Sequence, residues 1–120
     1  MSTNKVNEKL HALFIAYAKQ LPAKISGIEN LWKYLLHDWN QKQFEIFHRE
    51  VHNLCGSAAT YGYKELGHAA RQLEVYLKSL LESSSISIDQ QNEITNLLSR
   101  LKTTISLSPL VTNSILFEVS

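Results

Sequence analysis

The chain has 120 residues, 44% of them hydrophobic and 19% charged, with a formal net charge of +1. That length suits one domain whose core needs neither a disulfide nor a structural metal. The near-neutral balance and the scattered Lys and Arg exclude strong steering by nucleic acid or an anionic membrane.

A single cysteine, Cys55, excludes an intrachain disulfide and a multi-Cys zinc site, and fits a reducing compartment. The polar start Met1-Ser2-Thr3-Asn4-Lys5 leads into a stretch broken by His11 and Tyr17, which lacks the apolar run of a signal peptide. No stretch of about 18 apolar residues offers a membrane span. These features suggest a cytoplasmic protein. Only 4 Gly and 2 Pro interrupt long helix-permissive runs, so the class is helical.

The first predicted helix runs from about Asn4 to Gln20, with Val6, Leu10, Leu13, Phe14, Tyr17 and Leu21 at helical spacing. Pro22 suits the first turn of a second helix, or kinks a continuous one. Ile25, Ile28, Leu31, Trp32, Leu35 and Leu36 give the following stretch its apolar stripe, which ends at the polar break His37-Asp38-Trp39-Asn40. The next helix runs from about Gln41 to Tyr61, with Phe44, Phe47, Val51, Leu54 and Ala58 inward and Gly62 as its stop. Another begins near Tyr63, where Leu66, Ala69, Ala70, Leu73, Tyr76, Leu77, Leu80 and Leu81 keep the spacing of a bundle seam. Ser83-Ser84-Ser85 reads as a loop, and a last helix follows from about Asp89, capped by Asp89 or Ser87. Its inward residues are Ile94, Leu97, Leu98, Leu101 and Ile105.

The expected architecture is therefore all-α, an antiparallel four-helix bundle core with an additional N-terminal or C-terminal helix. It occupies residues 1–106. Residues 107–120 form a tail in which Ser108-Pro109 breaks the helix and an apolar, β-branched run follows. That run could pack along the bundle, pair as a strand or mediate self-association.

His52-Asn53-Leu54-Cys55-Gly56-Ser57 is the most informative stretch. A glycine inside a helix costs roughly 0.5–1 kcal/mol relative to alanine, so close approach of another molecule to His52 is a natural reason for Gly56. At about 100° per residue, His52 lies roughly 110° from the centre of the apolar arc, at its edge, with Gly56 one turn on along the same side. Neutral imidazole is a good nucleophile and forms covalent intermediates through one ring nitrogen while the other is held by a hydrogen bond. The chain has 5 histidines, so a half-exposed helical histidine carries little weight by itself.

The sequence from His52 through Gly62-Tyr63-Lys64-Glu65-Leu66, continuing without a gap to Ala70 and Leu73-Glu74, resembles the histidine phosphotransfer (HPt) domain. Weaker similarity runs back to about Leu13. The pattern is a histidine, a leucine two later, glycine and serine, a glycine at the turn, then Leu, Ala and Leu-Glu on the next helix. The resemblance implies that His52 accepts a phosphoryl group from an aspartate on one receiver domain and passes it to another. It implies supporting roles for Gly56, which clears the approach, for Ser57, and for Glu74, which would hold the second ring nitrogen and fix the tautomer. The partners would be receiver domains of response regulators and hybrid histidine kinases, with no nucleic acid and no membrane, and the protein would be a monomer. No cofactor is expected in this chain; Mg²⁺ would sit on the receiver. There is no Gly-rich phosphate loop, so the chain reads as a carrier and not an enzyme.

One departure stands out. Many HPt domains have lysine three residues after the histidine, where this chain has Cys55. A lysine there would stabilise phosphoryl charge, and Arg49, Lys64 or Arg71 are the candidates to replace it. The same three are candidates for docking, against the plainer reading of a solvated charged face.

Competing readings are weaker. His48 and His52 are four apart and could share a metal, with His68 as a distant third ligand, but the carboxylate positions of a zinc-protease helix are absent, so no metal is expected. A Cys55–His52 nucleophile pair ranks lower still, because Cys55 reads as a core-edge residue. The main alternative is a structural or regulatory helical bundle that binds proteins through Trp32, Trp39, Tyr61, Tyr63 and the tail, although aromatics at helical spacing are more often core. Its variant, which Cys55 at the lysine position keeps open, is an HPt-like bundle that binds receivers without carrying phosphate.

Overall fold

The computed structural model describes residues 2–105 and places them in four helices. These are α1 (Ser2–His37), α2 (Gln41–Thr60), α3 (Lys64–Ser79) and α4 (Ile88–Thr104). The tail readings for residues 107–120 lie outside the described residues.

Each boundary follows from local chemistry. Asn40 caps α2, its side chain accepting from the Gln43 N–H at 3.0 Å. Of the two candidate caps for α4, Ser87 takes the role and forms a reciprocal capping box with Gln90. Caps of this kind stabilise a helix by about 1 kcal/mol. At the end of α2, Gly62 adopts φ 82°, the left-handed conformation in which side chains are disfavoured. The Gly62 and Tyr63 N–H groups then bond back to Ala59 and Ala58, closing a Schellman turn.

The expected first two helices are one. α1 runs through Pro22, which sits exposed while Leu21 and Ile25 on either side are buried. A proline inside a helix loses one backbone hydrogen bond, and the buried flanking side chains hold the chain helical across the gap. At 1.5 Å per residue α1 is about 54 Å long, close to the 57 Å longest dimension of the molecule. Its N-terminal turns overhang the bundle, so Val6, Leu10 and Leu13 are exposed, and burial begins at Tyr17. The anticipated extra N-terminal helical segment is this overhang.

The topology is up-down-up-down. Trp32 stacks on Phe47 while Tyr17 reaches Ser57 and Tyr61, so α1 and α2 are antiparallel. Gln41 reaches the Leu81 carbonyl at one end of α2, and Gly67 lies against Ala58 and Ala59 at the other, which sets α3 antiparallel to α2. Trp32 donates to Thr95 and Lys102 pairs with Glu29, which sets α4 antiparallel to α1. The core contains the stripes read from the sequence: Phe44, Phe47, Val51, Leu54 and Ala58 of α2 against Leu66, Ala70, Leu73 and Leu77 of α3 and Ile94 and Leu101 of α4. No helix among the described residues is long and apolar enough to cross a membrane.

Candidate functional site

The apolar stripe of α2 fixes the helix's rotation, and that rotation leaves His52 outside the core. Its side chain is 64% exposed, on the flank of α2 that faces α3. Glu74 of α3, mostly buried, meets it there: His52 Nδ1 lies 3.1 Å from Glu74 Oε1. The other carboxylate oxygen, Oε2, lies 3.3 Å from Nε2 of His48, one turn earlier on α2. Burial would raise the carboxyl pKa, but the His52 hydrogen bond, together with His48, outweighs it and holds Glu74 below the usual glutamate value. An ionised carboxylate only accepts hydrogen bonds. Both facing nitrogens therefore carry protons: Nδ1–H on His52 and Nε2–H on His48. The Nε2 of neutral His52 is left with its lone pair.

A groove of about 690 Å³ opens beside this histidine between α2 and α3. Cys55, Gly56 and Ala59 line it from α2, Gly62 from the turn, and Lys64, Gly67, His68, Arg71 and Glu74 from α3. A methyl group built onto Gly56 would meet no atom within 4 Å, so the missing side chain widens the groove without serving helix packing. Gly67 differs. A methyl group there would lie 3.7 Å from the Ala59 backbone nitrogen and 3.8 Å from the Ala58 side chain, so Gly67 is where the two helices cross closely.

Lys64 and Arg71, both supplied by α3, are the cations that line the groove, with His68 beside them. Burial, reinforced by the nearby Glu74 charge and only partly opposed by Arg71, pushes the Cys55 thiol up to about 11. The thiol therefore stays protonated at neutral pH and is a poor nucleophile, which removes the Cys55–His52 pair as an active couple.

The sequence-predicted residues thus separate. His52, Gly56, Glu74, Lys64 and Arg71 come together at one groove. Ser57 turns the other way: it accepts a hydrogen bond from the Tyr17 hydroxyl at 2.8 Å and donates to the Leu54 carbonyl, tying α2 to α1. Arg49 is exposed and does not line the groove. Trp32 and Tyr63 are buried, and Trp39 and Tyr61 pack against the core, so the aromatics weighed as a binding surface are core residues. His48 and His52 converge on a carboxylate, and among the described residues no three His, Cys, Asp or Glu side chains are grouped to hold a metal. Sequence reasoning missed the role of Gly67 and the contact of His48 with Glu74. The i, i+4 spacing of the two histidines was visible, but the height of Glu74 on the opposite helix was not.

The chain is thus a four-helix bundle that holds an exposed histidine at mid-helix, backed by a carboxylate from the neighbouring helix. A family model described as the Hpt domain matches residues 12–104, and the chain belongs to that family. No curated protein and no solved structure matches the chain. Membership ties the protein to phosphotransfer in phosphorelays, where Hpt domains meet receiver domains.

Proposed function

We propose that the protein is a histidine-containing phosphocarrier whose His52 takes a phosphoryl group from a receiver aspartate and delivers it to a second receiver. One observation carries this reading: His52 Nδ1 is engaged by Glu74 at 3.1 Å while its ring stands 64% exposed at the rim of a groove. The Nε2 lone pair attacks phosphorus and a P–N bond forms. The P–O bond of the aspartyl phosphate breaks, and its electron pair returns to the aspartate carboxylate. The Nδ1 proton stays on the ring, which gains positive charge opposite the Glu74 carboxylate. That carboxylate is already in place when the charge develops, the arrangement that stabilises a transition state without reorganisation. The second transfer is the reverse reaction with a different aspartate.

Mg²⁺ and the acid-base groups belong to the receiver in this scheme. The chain contributes one oriented nucleophile on a rigid helix. Lys64 and Arg71 line the groove beside His52 and are the cations available to the transferred phosphoryl group, in place of the lysine that Cys55 displaces. They also give the receiver's acidic site a complementary rim. Arg49, away from the groove, has no part in this scheme.

A second reading, a receiver-binding bundle that carries no phosphate, is favoured by one observation: an un-ionised thiol stands at Cys55. Incubation with a panel of phosphorylated receivers separates the two. Label that appears on the protein and vanishes in His52→Gln supports the carrier. Receiver binding without such label from any panel member establishes the alternative.

A further inference from the structure

We propose that His48 is a positioning residue for His52: its Nε2–H holds one oxygen of Glu74 so that the other is aimed at His52 Nδ1. This deepens the phosphocarrier reading and rests on His52 being the nucleophile.

The geometry is a single carboxylate bridging two imidazoles one helical turn apart. Glu74 Oε2 lies 3.3 Å from His48 Nε2 and Oε1 lies 3.1 Å from His52 Nδ1. The two rings are 6.3 Å apart and inclined by only 26°, the side-by-side arrangement that i, i+4 spacing produces. The two histidines differ in exposure. His48 is 18% exposed and His52 64%. His48 therefore sits at the inner end of the bridge, while His52 projects into solvent.

That difference assigns the roles. A carboxylate held at one oxygen only can rotate about its last side-chain bond, a broad, shallow torsion. Bonding at the second oxygen, by a partner itself held in a packed setting, removes that freedom and fixes the plane in which Oε1 accepts. The exposed ring gains a defined acceptor for Nδ1–H, and with it the tautomer that leaves Nε2 free. His48 acts through Glu74 and does not itself meet the phosphoryl group.

The test uses ¹⁵N NMR of the histidine rings and chemical labelling by phosphoramidate, which donates phosphoryl to histidine with loss of ammonia and needs no receiver. In the wild-type protein His48 should be protonated at Nε2 and His52 at Nδ1. In His48→Leu the Nδ1–H population of His52 should fall and its labelling should slow about three- to tenfold, on the order of one charge-assisted contact. His48→Gln, whose amide nitrogen replaces Nε2–H, should restore both. Unchanged labelling and tautomer in His48→Leu would overturn the inference. So would slowed labelling in both variants with the His52 tautomer intact, because that pattern marks packing alone. If neither variant folds, the wild-type spectra still decide: His48 protonated at Nδ1 instead of Nε2 refutes the bridge. Failure of phosphoramidate to label wild-type His52 would remove the carrier reading, while the nitrogen spectra would continue to judge the bridge.

Discussion

Removing Glu74 tests the site most directly. Glu74→Ala deletes the acceptor of two N–H groups at once. The His52 end is exposed, where such a pair contributes about 0.3–0.5 kcal/mol after screening. The His48 end is more sheltered, where a hydrogen bond to a charged group contributes about 1 kcal/mol or somewhat more. The expected loss is therefore about 1–2 kcal/mol, a fall of roughly 5–10 °C in melting temperature for a domain of this size. The bundle should still fold, because its core does not include Glu74. Reactivity should suffer more than stability. The ring loses its tautomer selection and its counter-charge, and one such contact of about 1.4 kcal/mol is tenfold in rate. Phosphoramidate labelling and receiver transfer should both slow by about that factor or more. Glu74→Gln should fall between, since an amide offers one acceptor oxygen to two donors and turns its NH₂ against the other. The sign with pH follows from the depressed carboxyl. A group whose folded value is lowered stabilises the fold above its unfolded value and loses that effect as pH falls through the folded one. The melting gap between wild type and Glu74→Ala should persist down to the ordinary glutamate range and close below it. Labelling of Glu74→Ala at the wild-type rate, with the His52 tautomer unchanged, would refute the claim that this carboxylate organises the nucleophile.

Three further outcomes follow from the groove. Gly56→Leu should fold, since the added side chain meets open space and glycine is the poorer helix former by about 1 kcal/mol, yet receiver transfer should be blocked while phosphoramidate labelling survives; equal transfer in a gel assay would contradict the steric account. Cys55 should alkylate with iodoacetamide at pH 8 at least about tenfold more slowly than an unperturbed thiol, because a thiol pushed from 9.0 to about 11 has far less thiolate, partly offset by that thiolate's greater nucleophilicity; reaction at the free-thiol rate would show it to be solvated. Gly67→Leu should lower thermal stability by about 1–3 kcal/mol, since a large side chain at the α2–α3 crossing forces the helices apart, whereas Gly67→Ala should fold normally; calorimetry of the pair checks this.

Much of this was legible in the sequence, because helical periodicity reports on burial. The α2 stripe from Phe44 to Ala58 is the buried set of that helix, and the same stripe places His52 outside it. The α3 and α4 stripes carry over in the same way, with Tyr76, Leu81 and Ile105 at the core's edge. The failures are of two physical kinds. Periodicity describes one helix and not what lies beside it. Val6, Leu10 and Leu13 continue the stripe of Tyr17 and Leu21, but α1 outruns its neighbours and the stripe stays exposed. Likewise Ser57 adjoins Gly56 in the motif, but the rotation of the helix delivers it to Tyr17 and not to the groove. The second kind concerns cross-helix height. Whether Glu74 meets one histidine or two depends on the stagger of α3 against α2, which the Gly67 crossing and the Gly62 turn determine.

The same stagger bears on the missing lysine. A cation three residues after His52 would move with its own helix and stand by the phosphoryl group whatever α3 did. With Cys55 there, the groove's positive charge comes from Lys64 and Arg71, both on α3. His52 and the groove's cations then sit on different helices, and their distance depends on the α2–α3 crossing. Moving the charge back should loosen that dependence. Arg71→Ala should shorten the lifetime of phosphorylated His52 in a time course quenched with detergent at alkaline pH, which preserves the acid-labile P–N bond, and adding Cys55→Lys to it should restore much of the loss. If Arg71→Ala leaves the lifetime unchanged, α3 does not stand in for the missing lysine.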